Sequence, residues 1–123
     1  MEFVSFAEQA RRVAAGEVTS AVLVEQSLAQ IQRLDHRLNA FVAVLDEQAR
    51  AEAVQRDATP AADRGPLHGV PIAIKDENDV AGLPTAYGGA AFSTPAAADS
   101  EVVRKLRAAG AVIIGKTRMP EFG

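Results

Sequence analysis

At 123 residues, with 48% hydrophobic and 24% charged side chains, the chain has the makeup of one small globular domain or a piece of a larger one. A formal charge of −3 argues against non-specific binding to nucleic acid or to anionic membrane surfaces. The absence of cysteine excludes disulfides, thiolate chemistry and cysteine-ligated metal, and two histidines, His36 and His68, argue against a histidine-based metal site.

The leading residues MEFVSFAEQ lack the basic segment and apolar run of a signal peptide, and no uncharged window approaches the roughly 18 residues needed to span a bilayer. A cytoplasmic location is expected, although cysteine usage alone does not fix the compartment. Ser5, with Glu8 three places on, has capping-box spacing and predicts a helix to about Ala15, stopped by Gly16. Thr19 or Ser20 can cap a second helix, on which Val24, Leu28, Ile31 and Leu34 form an apolar stripe. Residues 39–45 (NAFVAVL) are ambiguous by periodicity, and residues 46–56 read as a third helix.

Residues 58–65 (ATPAADRG) read as a linker, and beyond them the pattern alternates. Residues 70–75 (VPIAIK) predict a strand with Val70, Ile72 and Ile74 on one face and Lys75 on the other; Pro71, without an N–H, belongs at its start or where pairing is interrupted. Residues 77–94 read as a glycine-rich loop. Asp99 or Ser100 then caps a helix with Val102, Val103 and Leu106 on its apolar side, Gly110 ends it, and residues 111–114 (AVII) form a second strand that leaves through a loop, GKTRMPEFG. Strand, loop, helix, strand is a βαβ unit, which pairs its strands in parallel and wants helices on both faces. Two strands are few for such a sheet, a first hint that further chain belongs to the fold.

Pattern alone leaves Lys75 open between a strand-end side chain snorkelling to solvent and a reactive amine. A lysine base must be neutral to accept a proton, and from a reference value near 10.4 that costs roughly 4.6 kcal/mol at pH 7, less in a desolvated site or beside another cation. Asp76 would oppose this if its carboxylate were close, but strand alternation points the two side chains apart. Asp76, Glu77 and Asp79 read as an ordinary acidic loop before a metal cluster, and their spacing is not that of an EF-hand. Gly115-Lys116-Thr117 has the ending of a nucleotide-phosphate loop, yet the preceding GAVII would pair its N–H groups in a sheet, so that reading is rejected. His68 is expected to be a turn histidine with a local hydrogen bond.

Taken together, GPLHGVPIAIKD (65–76), DVAGLPT (79–85) and DSEVVRKLRAAGAVIIGKTRMPEF (99–122) resemble the amidase signature family, and the helices around TSAVLVEQSLAQIQRLDHRLNAFV look like its leading helices. The resemblance implies an α/β chain: the N-terminal part of a layered α/β/α fold, with a helical segment over residues 1–60 and the start of the α/β core over residues 61–123, its sheet incomplete. It implies hydrolysis of carboxylic amides by a serine nucleophile, a second serine in a cis peptide, and a lysine, and Lys75 falls on that lysine as the catalytic residue present. Neither organic cofactor nor metal is implied. The family's two serines follow the M-x-E-F stretch, and Ser5, Ser20, Ser27, Ser93 and Ser100 match neither position. The chain is therefore expected to be an N-terminal fragment, inactive alone, whose parent takes a small amide substrate and does not bind nucleic acid directly or a membrane. A second reading makes it a module that assembles with a separate C-terminal half, or with the other subunits of a tRNA-dependent amidotransferase. Glu77, where many relatives carry asparagine, and Gly89, where a serine is usual, depart from the family pattern.

Overall fold

The computed structural model describes residues 4–123, and among these the helices and strands alternate in a pattern set by local caps and turns. The hydroxyl of Ser5 accepts the Glu8 N–H at 3.2 Å and starts α1 (Phe6–Ala14), satisfying an amide that has no partner within the first turn. Glu8 does not complete a reciprocal box; its carboxylate pairs with Arg11 and Arg12. Thr19 caps α2 (Ser20–Leu38) through the Val22 N–H. The carboxylate of Asp57, from α3 (Asp46–Ala58), accepts from the Ser20 and Ala21 N–H groups at 2.7 and 3.0 Å, placing negative charge at the positive end of α2. Asn39 closes α2 in the left-handed conformation, and Asp35 accepts from the Ala40 N–H at 2.7 Å as the chain turns into β1 (Phe41–Val44). The ambiguous segment is thus a strand.

A single 3-10 turn, Ala61–Asp63, occupies the expected linker. Pro71 is the first residue of β2 (Pro71–Lys75), as its missing donor requires. Ser100 caps α4 (Glu101–Ala108), which leads to β3 (Val112–Thr117). Gly115, Lys116 and Thr117 belong to this strand, so the expected exit loop begins three residues too early.

The sheet order is β1-β3-β2, with β2 and β3 parallel across the α4 connection and β1 antiparallel to β3. Helices lie on both faces, as the α/β reading anticipates. On one, Val103 of α4 and Val80 of the long loop pack with Val70, Ile72, Ile74 and Ile113. On the other, Val24 and Leu28 of α2 and Ala49 and Ala53 of α3 pack with Val112 and Ile114. Such two-sided burial accounts for the unbroken apolar run of β3. The third strand, supplied by the first sixty residues, still leaves β1 and β2 as edges, each unpaired on its outer side among the described residues.

One irregularity in the ladder decides which side chain points where. Ile72 pairs with Ile113, but Ala73 pairs with Gly115, so Ile114 is an extra residue in β3. Without this bulge Lys116 would share the face of Ile114, against α2 and α3. With it, Lys116 is the partner of Ile74 and lies on the α4 face. Gly115 permits the bulge, because a Cβ there would stand 2.4 Å from the Ala43 carbonyl oxygen of β1.

Candidate active site

The end of β2 delivers Lys75 to the surface. Its side chain is 49% exposed, on the opposite side of the strand from Ile74, and its Nζ lies 3.6 Å from the Glu77 carboxylate. The strand ends here because the Lys75 carbonyl turns back to accept the N–H groups of Glu77 and Asn78, at 2.7 and 3.1 Å. Glu77, one of the two departures from the family pattern, is therefore the ion partner of the candidate base.

Asp76 goes the other way. It is 2% exposed, and its Oδ1 lies 2.8 Å from Nζ of Lys116, a residue with no exposed surface. The approach falls outside the directions of a good hydrogen bond at Oδ1, making this contact an ion pair; the directed bonds of the ammonium go to the Thr85 hydroxyl at 2.9 Å and the Pro84 carbonyl at 3.1 Å. Thr85 in turn donates to Asp79 at 2.6 Å. Asp76 also holds the loop, accepting the Ala86 N–H on Oδ2 at 3.3 Å and the Tyr87 N–H on its backbone carbonyl at 3.1 Å. The acidic triplet thus diverges: Asp76 to Lys116, Glu77 to Lys75, Asp79 to Thr85.

The loop is anchored against the last residues. Phe122 N–H donates to the Tyr87 carbonyl at 2.8 Å, and Gly88, at φ 78°, lies so close to the 119–120 peptide that a Cβ would sit 2.5 Å from the Met119 oxygen. Glycine is required at 88. At 89 it is not, since a Cβ there would meet the Glu121 side chain only at 3.6 Å, an ordinary contact. Asp79, Thr85, Tyr87, Phe92 and Phe122 border an open hollow of about 650 Å³ beside this anchor.

The serines have other tasks. Ser5 and Ser100 are helix caps, and the buried Ser20 hydroxyl donates to the Gly69 carbonyl at 2.8 Å. His68 is buried, with Nε2 2.7 Å from the Arg56 carbonyl, in keeping with the hydrogen-bonded turn histidine expected. Lys116 is the residue whose role sequence reasoning missed. The signal was present: a lysine directly after a β-branched run that a two-sided sheet must bury has to find a carboxylate, and Asp76 follows the matching strand.

No helix among the described residues is long and apolar enough to cross a membrane. The amidase family model matches residues 22–123. The chain is 51% identical to the putative amidase AmiB2 of Mycobacterium tuberculosis over 123 residues, which is 99% of this chain and 27% of that protein. It is 46% identical to the amidase-like component of the glutamyl-tRNA(Gln) amidotransferase of Anaeromyxobacter dehalogenans, over 89% of this chain and 23% of that one. Among solved structures, the peptide amidase of Stenotrophomonas maltophilia superposes with a TM-score of 0.87 at 36% identity, covering 97% of this chain and 25% of the amidase. The chain accordingly spans about a quarter of the length of the relatives it matches, and it belongs to the amidase signature family.

Proposed function

We propose that these residues form the N-terminal part of a carboxylic-amide hydrolase in which Lys75 is the base. In this reading a neutral Lys75 amine accepts a proton from a bridging serine, which has taken it from the nucleophilic serine as that oxygen attacks the amide carbon. The proton returns along the same path to the leaving nitrogen as the C–N bond breaks, and water then hydrolyses the acyl-enzyme. Backbone N–H groups near the nucleophile would stabilise the oxyanion. Both serines come from chain that follows the M-x-E-F stretch in the family. The observation that carries the reading is the emergence of Lys75 at the end of an edge strand, where its amine is turned away from Asp76 and open to groups from a neighbouring segment.

Two measurements test it. The 123-residue chain should hydrolyse no amide, since a base without nucleophile or oxyanion donors lacks the covalent step; turnover abolished by Lys75→Ala in this chain would overturn that expectation. In a longer polypeptide where residues 1–123 continue into the serine-containing segment, Lys75→Ala should lower kcat/KM about a thousandfold, within the range of general-base contributions. Undiminished activity of that variant would remove Lys75 from the mechanism.

The open edges of β1 and β2 favour one further reading, in which the chain acts by assembly with a separate C-terminal half, or as the corresponding part of the amidase-like component of a tRNA-dependent amidotransferase. Co-expression with a polypeptide that begins at the serine-rich segment should then give a complex. Recovery of the two chains as separate species would end this alternative.

A further inference from the structure

The pairing of Asp76 with a buried lysine has a meaning for the amine next to it. Asp76 is the carboxylate adjacent in sequence to Lys75, and a free negative charge there would hold that amine in its protonated form. The bulge at Ile114 brings the ammonium of Lys116 onto the same face as Asp76, 2.8 Å away and sealed from water. We infer that Lys116 is a positioning and charge-cancelling residue for Lys75: it neutralises Asp76 inside the fold and ties the 84–87 loop across the end of β2, so that Lys75 has a neutral ion pair, not a bare carboxylate, at its back.

This inference rests on the proposed role of Lys75 and deepens it. The other charged groups around this end of the sheet are Glu77, which faces the amine at 3.6 Å, Asp79, held by Thr85, and Glu121, beyond Gly89 in the last turn. None of these pairs with Asp76 or Lys116, so removing either member of the buried pair leaves the other's full charge unanswered. The two removals act on Lys75 with opposite sign. Losing the Lys116 cation exposes Lys75 to a bare carboxylate and slows the loss of its proton. Losing the Asp76 anion leaves a bare cation nearby and speeds it. A merely architectural pair would show no such antisymmetry, because disruption from either side would loosen the same strand end in the same direction.

The chain contains three lysines, 75, 105 and 116, which makes the experiment direct. Trace acylation of the 123-residue chain with acetic anhydride at pH 8, read peptide by peptide by mass spectrometry, reports how readily each amine loses its proton and is reached. Lys105, 69% exposed on α4, serves as the internal reference. Lys116 should acylate at least about a hundredfold more slowly than Lys105, as a fully enclosed ammonium does. Lys116→Met should lower the Lys75/Lys105 rate ratio about threefold and Asp76→Asn should raise it by a similar factor, the size expected of one screened unit charge. The double variant should return to the parent ratio. Lys116 labelling as fast as Lys105, single variants shifting Lys75 in the same direction, or no shift in folded variants would each overturn the inference. Should Lys116→Met not fold, Asp76→Asn and the double variant decide it, since Lys116 keeps Thr85 and Pro84 as partners in the first and no bare charge remains in the second. The readout needs no amide hydrolysis, so a failure of Lys75 as base leaves these ratios as they are, and a failure of the ratios leaves the base assignment as it is.

Discussion

Lys75 and Lys116 stand one register step apart on neighbouring strands, and the fold treats them in opposite ways. Lys75, opposite Thr117, is half exposed with a single carboxylate 3.6 Å away; Lys116, opposite Ile74, is enclosed with Asp76, Thr85 and Pro84 around its ammonium. The first arrangement contributes little to stability, because water screens the charges and two long side chains must be held still. In the second, neither charge can return to water without the other, so the pair is expensive to break even though it is a weak reason for the fold to be stable at all. A lysine kept for chemistry and a lysine kept for architecture are thus told apart by enclosure and partners, and sequence position alone does not separate them.

The sharpest way to break the comparison is to strand one buried charge. Lys116→Met leaves the enclosed Asp76 carboxylate without its cation and should lower the unfolding free energy by about 3–5 kcal/mol in urea titrations. Adding Asp76→Leu should recover most of that loss; if the double variant stays as unstable as the single one, packing and not charge carries the effect. A buried neutral polar contact should matter less. Ser20→Ala removes the donor to the Gly69 carbonyl and should cost about 1–3 kcal/mol by the same titration. A half-exposed cap should matter less again: Thr19→Ala forfeits the bond to the Val22 N–H and should cost about 1 kcal/mol.

The smallest effect belongs to the exposed charges of α1. The guanidinium of Arg11, and next that of Arg12, brings the Glu8 carboxyl from 4.5 down to about 2. Because the folded value lies below the unfolded one, the contribution of this group is complete above pH 4.5 and disappears as the pH falls toward 2. Glu8 is fully exposed, so screening leaves only a slight effect: the drop in melting temperature between pH 5 and pH 2.5 should be marginally smaller in Glu8→Gln. A large difference would show α1 to depend on surface charge more than its packing implies.

Much of the architecture was legible because local signals agree with it. Ser5, Thr19 and Ser100 mark helix starts by chemistry that needs no tertiary context, and Pro71 marks a strand start for the same reason. The β1 strand was not, since FVAV is too short for periodicity to separate strand from helix, and its assignment depends on pairing with β3, about seventy residues away. The length of β3 was misjudged for a related reason. Gly115-Lys116-Thr117 carries loop-like residue types, yet glycine is there to let β1 approach and the lysine is there because a bulge turns it toward Asp76. Neither cause is local. At the site, the acidic triplet could be read as a loop from its spacing, whereas the assignment of each carboxylate to a different partner came only from the fold.

The division between the two lysines is tested most directly by the urea unfolding free energy of Lys75→Met. An amine reserved for chemistry should be dispensable to the fold, and the variant should stay within about 0.5 kcal/mol of the parent chain, as surface substitutions do. A loss above about 2 kcal/mol, approaching that expected for Lys116→Met, would mean that Lys75 also belongs to the scaffold, and would contradict the account.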